Sequence, residues 1–372
     1  MAVFPASDDG GTTQTKWTGK LNVLHKTLTQ AYIASNHKSK AAHEEAQKYL
    51  PGGNTRSVLH YCPFPLSLRS GQGCRVTSLD GDEYLDFVSE YSAALFGHSH
   101  PLIIEAVQNA AQDRGFNLGA PNPDEATLAR HIVSRFRSVD KVRFTNSGTE
   151  ANMMALAVAL AYTGRKKILV FANGYHGAFA NFGHSTINNL LNIPHDFVVG
   201  QYNEITSNEQ FLTSELAAIL VEPMQGAGGM IPGSPEFLSF LQSAATRTGA
   251  VLIFDEIITS RFHIGGFSFG AFGGRADVMA LLEPGPGPKK LFHSGTHNNN
   301  MFSMAAGVAA SRILTVEGIH RINGLGDRLR DGINGIYIGK RGFLSLNLVH
   351  QEEDVEYVLS AIREFVQQLQ GP

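Results

Sequence analysis

The sequence has few cysteines, no long apolar run and no excess of charge of one sign. Its two cysteines among 372 residues, Cys62 and Cys74, are too few for a disulfide framework and indicate a reducing compartment. No apolar run approaches the ~20 residues needed to span a bilayer. The first residues lack the basic start and apolar core of a signal peptide. We therefore expect a cytoplasmic protein that binds no membrane.

The charge balance and the residue spacing exclude other classes of partner. A net charge of −3 gives no reason to expect a nucleic acid as partner. Neither cysteine lies beside a histidine at a metal-ligand spacing, so we predict no metal site. No G-x-G-x-x-G opens a helix after a strand, which disfavours a nucleotide-dependent dehydrogenase.

Lysine is also absent from a long part of the chain, between Lys167 and Lys289. This part holds several of the candidate site residues described below. A lysine amine is a common nucleophile and proton carrier in cofactor-dependent enzymes. The segment between these two lysines cannot supply that group.

Residues 124–260 alternate between helical and strand patterns. Strands are predicted at 141–145, 168–173, 217–223 and 250–256. Helices are predicted at 124–136, 150–162 and 235–248. Continuous apolar strands separated by helices indicate a mostly parallel sheet that is covered on both faces. Ligands bind to such sheets at the carboxyl ends of the strands.

The two ends of the chain carry different patterns. Residues 21–49 are helical and polar, residues 66–87 read as short strands with a hairpin turn at Asp80-Gly81, and residues 354–369 form an amphipathic helix. We predict a disordered lead, an N-terminal segment of a small domain, a large ligand-binding domain and a truncated C-terminal part of the small domain, at 1–20, 21–100, 101–315 and 316–372.

The segment KVRFTNSGTEA predicts a strand, a turn of small residues and a helix. Ser147, Gly148 and Thr149 bring hydroxyls and backbone N–H groups to the helix N-terminus, where a phosphate is stabilised. An ordinary Ser/Thr cap, with Glu150 in the first turn, explains the same residues.

Three further residues follow predicted strands. Tyr175, on a glycine-flanked loop, offers a flat face for a planar ring, or it is a packed loop residue, and His176 beside it is a ligand contact or a structural histidine. Asp255 follows four apolar residues, where a carboxylate is costly unless it is paired. A protonated ring nitrogen would pair it, and a capping or metal-binding role is the alternative.

The loop HSGTHNNN precedes a small-residue helix predicted at 300–314. Thr296 and its backbone offer a second set of phosphate donors. A polar loop with a helix cap is the alternative.

In order and approximate spacing, NSGTEA, NGYHG, LVEP, DE and GT-NNN resemble the class III (subgroup II) aminotransferases of pyridoxal phosphate fold type I. The branch that the chain resembles most is that of glutamate-1-semialdehyde 2,1-aminomutase and its aminotransferase-like relatives. PGGNTRS, LDGDEYLDF, GHSHP, FGAFGGR and RGFLSLNL are also similar to that branch. The resemblance covers the chain from about Leu21 onward. It implies an α/β fold with a mostly parallel central sheet, helices on both faces, and a truncated small α+β domain from the two ends.

The resemblance also implies roles for individual residues. Pyridoxal 5′-phosphate (PLP) would be the cofactor, with its phosphate on Ser147, Gly148 and Thr149. Tyr175, beside His176, would stack on the ring and Asp255 would hold the ring nitrogen, with Glu222 supporting the site. Thr296 would reach the phosphate of the neighbouring subunit, which implies a homodimer. A small amino or keto acid would be the substrate, with Arg56 and Tyr91 near its carboxylate.

The chain departs from the family pattern at two places. The segment that should carry the lysine holding PLP as a Schiff base is missing between Asp255 and Gly265, and strands of the small domain are missing near Gly335. Lys289 and Lys290 lie before the GT segment, on the wrong side of the glycine turn, and Lys340 lies beside the RGFLSL strand. A surface role explains all three.

Two hypotheses follow from this departure. The chain is a PLP-dependent aminotransferase or aminomutase whose sequence has lost segments, as skipped coding segments would leave it. Alternatively, it is a catalytically inactive relative that keeps the dimer, with or without the cofactor. Because the phosphate motifs are intact, the first is favoured.

Overall fold

The computed structural model describes residues 19–115, 118–183, 190–262, 264–286, 290–332 and 344–370. Most of the lead at 1–20, which we predict to be disordered, lies outside these residues. The described chain divides into two compact units. One contains residues 19–100, 315–332 and 344–370, and the other contains residues 101–314.

The first unit begins with two helices and a small sheet, which are α1 (Gly19–Ser35), α2 (His37–Gln47), β1 (Leu68–Gln72), β2 (Arg75–Ser78) and β3 (Glu83–Leu85). The three strands form an antiparallel sheet in the order β1-β2-β3. Thr77 pairs with Glu83 across a turn that contains Asp80, so the predicted hairpin is confirmed. The Asp80 carboxylate also accepts hydrogen bonds from the backbone N–H groups of Lys38 and Ser39, at 2.7 and 3.1 Å, which joins the hairpin to the start of α2.

The second unit contains α3 (Pro101–Asp113), α4 (Pro123–Arg135), β4 (Lys141–Thr145), α5 (Gly148–Thr163), β5 (Lys167–Phe171), β6 (Asp196–Gly200), β7 (Leu216–Val221), β8 (Met224–Gln225), β9 (Ile231–Pro232), α6 (Pro235–Thr248), β10 (Val251–Phe254), β11 (Gly270–Gly274), α7 (Ala276–Met279) and α8 (Met301–Ile313). The chain then returns to the first unit with α9 (Val316–Gly332) and α10 (Glu352–Gln370). No single described helix is long and apolar enough to cross a membrane, although α8 and α9 taken together as a bent pair pass that test.

A four-stranded parallel sheet forms the centre of the second unit, in the order β10-β7-β5-β6. Side chains alternate between its two faces, as strand geometry requires. Ile168 and Val170 of β5 pack towards Leu156 of α5, whereas Leu169 and Phe171 pack in the cluster that contains α6. Burial on both faces explains the continuous apolar runs. The predicted α/β fold with a parallel sheet between helices is confirmed.

The sheet is interrupted beyond β10. Among the described strands β10 pairs with β7 alone, and β4 pairs with β11 in a separate antiparallel ladder. The described residues between Phe254 and Gly270 contain no strand. Residues 255–269, which connect β10 to β11, also contain no helix where they are described, so no helical crossover follows β10.

Candidate cofactor site at the carboxyl ends of the strands

The N-terminus of α5 offers an anion-binding group of donors. Ser147 caps the helix and its Oγ accepts from the Glu150 N–H at 3.2 Å. Within the described chain, the N–H groups of Gly148 and Thr149 have no hydrogen-bond partner, and neither has the Thr149 hydroxyl. The capping role of Ser147 and a phosphate-binding role are therefore compatible, because the cap uses one donor and leaves the others.

A buried polar cluster surrounds Asp255, which directly follows β10. His176 Nδ1 lies 2.8 Å from Asp255 Oδ2, and Asn152 Nδ2 donates to the same oxygen at 2.8 Å. The Ile257 N–H donates to Asp255 Oδ1 at 3.2 Å. The side chains of His176 and Asp255 are only 1% and 3% exposed. A carboxylate buried this deeply is stable only when donors surround it.

These contacts determine how the cluster can bind a ligand. A carboxylate oxygen is the acceptor in such a contact, so the His176 tautomer that fits it has its N–H at Nδ1. Oδ2 then has two donors, whereas Oδ1 has one and keeps an acceptor position. A protonated ring nitrogen is a donor that this position fits. The described residues contain no group of three metal ligands, so they give no support to the metal-binding alternative for Asp255.

Glu222, which follows β7, joins two loops beside this cluster. Its Oε2 accepts from the Tyr175 N–H at 3.1 Å and its Oε1 accepts from the Gly226 N–H at 3.0 Å. Burial raises the pKa of the Glu222 carboxyl, and the two N–H groups offset only part of that effect. Glu222 therefore fixes the backbone of the loop that carries Tyr175.

Two exposed apolar side chains lie on these loops. Tyr175 and Ile257 are both 44% exposed, although the residues on either side of Tyr175 are buried and those beside Ile257 are half-buried. A Cβ atom on Gly148 would lie 2.5 Å from Ile257 Cδ1, and a Cβ atom on Gly177 would overlap the Thr149 hydroxyl. The loops after β5 and β10 therefore pack against the start of α5, and only glycine permits this approach.

Thr296 is exposed on a turn that contacts the same region. Asn298, in that turn, accepts a hydrogen bond at 2.9 Å from Asn146, which immediately precedes Ser147. Asn146 also binds Glu150 Oε2 through its side chain and its backbone N–H. The GT loop and the NSGTEA turn of one chain are thus adjacent.

Arg56 and Tyr91 lie in the other unit. Arg56 forms an ion pair with Glu90, and its guanidinium lies 5.8 Å from the centre of the Tyr91 ring. The four residues of the turn at 89–92 all have a left-handed backbone, with φ between 45° and 80°. Such strain in non-glycine residues persists only where surrounding contacts impose it.

The described lysines of the second unit lie away from Asp255. Lys167 begins β5 and pairs with Glu215, about 13 Å before the carboxyl end of the strand at ~3.3 Å per residue. Lys141 begins β4 and pairs with Glu283. Lys290 Nζ donates to the Ala280 carbonyl at 2.7 Å. Lys166 adjoins Lys167 at the same edge, and Lys289 and Lys340 lie outside the described residues.

Sequence reasoning missed three residues of the site. Asn152 binds Asp255, Ile257 packs on Gly148, and Asn298 joins the GT loop to Asn146. Asn298 lies within the HSGTHNNN motif, and Asn152 leaves a signal because it is the one polar residue of the sequence between Ala151 and Ala161, whereas Ile257 leaves none.

Comparison with known proteins identifies the family. The family model described as aminotransferase class-III matches residues 59–261. The beta-phenylalanine transaminase of Variovorax paradoxus is 46% identical over 341 residues, which cover 84% of this chain and 77% of that protein. The glutamate-1-semialdehyde 2,1-aminomutase of Clostridium tetani is 35% identical over 312 residues, 73% of each chain.

Solved structures have the same fold. The beta-phenylalanine aminotransferase from Variovorax paradoxus superposes with a TM-score of 0.85 and 38% identity, covering 93% of this chain and 97% of that one. An omega-transaminase from Sphaerobacter thermophilus superposes with a TM-score of 0.81 and 30% identity, covering 90% and 98%. Another neighbour is a transaminase with PLP bound, and PLP is the cofactor expected for the family. The chain belongs to the class III aminotransferases.

Proposed function

We propose that the second unit binds PLP, or its amine form, at the carboxyl ends of β5, β7 and β10, and that the site is built for amino-group transfer on a small amino or keto acid. The observation that carries this proposal is the buried Asp255 carboxylate, whose Oδ1 keeps one acceptor position. When bound, PLP supplies a protonated ring that withdraws electrons from the bond broken in the substrate.

Each part of the cofactor has a group that fits it. Asp255 accepts from the ring nitrogen and keeps it protonated. The phosphate accepts hydrogen bonds from Ser147, Gly148 and Thr149 of the same chain. In a homodimer, Thr296 donates to the phosphate that is bound by the neighbouring subunit. Tyr175, held through its N–H by Glu222, stacks on the ring, with Ile257 as a second apolar surface.

The substrate is proposed from the relatives and from residues of the other unit. A β-amino acid such as β-phenylalanine is the first candidate, because the relative that is 46% identical has that name. Arg56 is the group that we propose for the substrate carboxylate, beside Tyr91. Glu90 pairs with Arg56, so an incoming carboxylate must compete with Glu90.

The lysines limit catalysis by this chain. Lys141, Lys167 and Lys290 are each engaged away from Asp255, and amino transfer needs an amine at the ring to move protons. The alignment with the transaminase relative has 341 positions, but the part of this chain that it covers is only 84% of 372 residues, which is fewer than 341. Part of that alignment therefore faces gaps in this chain, which supports a lost segment. The second candidate function, a non-catalytic cofactor-binding relative, rests on this distribution of lysines.

One set of measurements tests the proposal. PLP and pyridoxamine 5′-phosphate are titrated into the purified chain, and amino transfer from β-phenylalanine to an α-keto acid is assayed. We expect saturable binding of both and very slow turnover. After borohydride treatment with PLP, peptide mapping should find no modified lysine at the ring. Absence of any cofactor binding would contradict the proposal. Rapid amino transfer from β-phenylalanine would contradict the second candidate function, a non-catalytic cofactor-binding relative.

The origin of the gap and the proposed dimer need separate measurements. A transcript with a lysine-encoding segment between the codons for Arg261 and Gly265 would favour an active enzyme. Light scattering in solution should give the mass of two chains if Thr296 serves a neighbouring subunit, and a monomeric mass would contradict that role.

A further inference from the structure

Asn152 occupies a buried position between two strand-end loops. It lies on α5, is 7% exposed, and its Nδ2 atom is 2.8 Å from Asp255 Oδ2 and 3.2 Å from the His176 carbonyl oxygen. Both partners only accept hydrogen bonds, so the amide nitrogen must face them and both of its N–H groups are used.

We infer that Asn152 is a positioning residue, which orients the Asp255 carboxylate so that Oδ1 accepts from the ring nitrogen of the cofactor. This inference rests on the proposed function, since it assigns a task within the same site. It concerns a residue of α5 that belongs neither to the proposed phosphate-binding group nor to the proposed substrate-binding residues.

The distribution of donors on Asp255 supports the inference. With Asn152 and His176 both on Oδ2, that oxygen has no further acceptor position in the carboxylate plane. From the described residues, Oδ1 accepts the longer 3.2 Å bond from the Ile257 N–H and no other. Removal of the Asn152 donor would free a position on Oδ2, and the two oxygens would then compete for the ring nitrogen.

Asn152 also connects loops that are distant in sequence. Its second N–H holds the carbonyl of His176, the residue next to Tyr175. One amide therefore sets the position of the carboxylate that binds the ring nitrogen and of the loop that carries the stacking tyrosine.

Pyridoxamine 5′-phosphate is a suitable probe, because it binds without forming a covalent bond. Its dissociation constant is measured by fluorescence titration for the native chain, Asn152→Leu and Asn152→Asp. The dissociation constant of inorganic phosphate is measured for the same three proteins by competition with pyridoxamine phosphate. We expect Asn152→Leu to weaken pyridoxamine phosphate binding about tenfold, the effect of losing one hydrogen bond to a charged group. Phosphate affinity should not change. The absorbance of the pyridoxamine phosphate bound to Asn152→Leu should show that the ring nitrogen loses its proton at a lower pH than in the native chain.

Asn208→Leu is the matched control. Asn208 is fully buried and binds the backbone of Gln201, so this change should lower the unfolding temperature while pyridoxamine phosphate affinity stays the same. Should Asn152→Leu fail to fold, Asn152→Asp decides, because it keeps the shape and replaces the donor by a carboxylate. Its pyridoxamine phosphate binding should be weak at neutral pH and recover as the pH falls.

The outcomes separate the inference from the proposed function. If the native chain binds pyridoxamine phosphate and Asn152→Leu binds it with equal affinity, the inference is wrong and the proposed function stands. Equal losses for pyridoxamine phosphate and for inorganic phosphate also overturn it, because they indicate general disruption of the site. If the native chain binds no pyridoxamine phosphate, both the inference and the proposed function are wrong.

Discussion

The Asp255 carboxylate and the His176 imidazole form a 2.8 Å hydrogen bond with both side chains almost entirely buried. Both groups are shielded from solvent by the loops around them. The pair therefore combines two functions, since it stabilises the contact between the loops after β5 and β10 and it determines which carboxylate oxygen remains for a ligand.

Substitution of His176 tests the structural part of this pair. We expect His176→Phe to lower the free energy of unfolding by about 3 kcal/mol, because a buried carboxylate loses one of its donors. Urea denaturation measures the difference. His320→Phe, at an exposed position of α9, is the control and should change stability by less than about 0.5 kcal/mol. Similar small effects for both would show that water replaces the imidazole.

The raised pKa of Glu222 predicts a pH dependence with a definite sign. Burial raises the pKa above its ordinary value of 4.5, so the folded protein binds the proton more tightly than the unfolded chain does. The contribution of Glu222 to stability is therefore largest at low pH and is lost as the pH rises above about 4.5. We expect the stability of the native chain relative to Glu222→Gln to fall as the pH rises from 4.5, in urea unfolding at a series of pH values.

Glu215→Gln provides a control of opposite sign. Lys167 lowers the pKa of the Glu215 carboxyl below 4.5, so the contribution of Glu215 is present above that pH and is lost as the pH falls. A native-minus-variant difference with the same slope for Glu222 and Glu215 would contradict the assignment of Glu222 as a carboxyl destabilised by burial.

The sheet and the strand-end position of the site were predictable because they depend on local patterns. Apolar runs of five or six residues identified β5 and β7, and the polar residues after them follow from where parallel strands end. Asn152 and Asp255 are 103 positions apart, and no local pattern pairs them. The contact between Gly148 and Ile257 depends in the same way on how two loops pack. The separation of β4 and β11 from β10 likewise depends on the path of residues 255–269, which form no strand where they are described.

Gly177 tests how tightly the loop after β5 packs on the phosphate-binding turn. It has a φ of 102°, and a Cβ atom there would overlap the Thr149 hydroxyl. Gly164 at the end of α5 also has a positive φ, 70°, but a Cβ atom there would meet nothing within 4 Å. We expect Gly164→Ala to cost about 1 kcal/mol for the backbone alone, and Gly177→Ala to cost about 1–3 kcal/mol more.

The two glycine variants should also differ in ligand binding. Gly177→Ala displaces the Thr149 hydroxyl and should weaken binding of inorganic phosphate, whereas Gly164→Ala should leave that affinity unchanged. Thermal unfolding and phosphate titration measure the two effects. Equal phosphate affinities in both variants would show that the Thr149 hydroxyl does not bind the phosphate.

The exposed edge of β10 predicts self-association. Among the described strands β10 pairs on one side only, and Phe254 at its end is 42% exposed. An apolar edge strand offers unpaired N–H and C=O groups to another chain, and lysine on such an edge opposes this pairing. We expect Phe254→Lys to reduce concentration-dependent aggregation, measured by light scattering. Phe365→Lys, at a residue of α10 that is 44% exposed, adds the same charge away from the edge. Equal reductions in both variants would attribute the effect to net charge and not to the edge of β10.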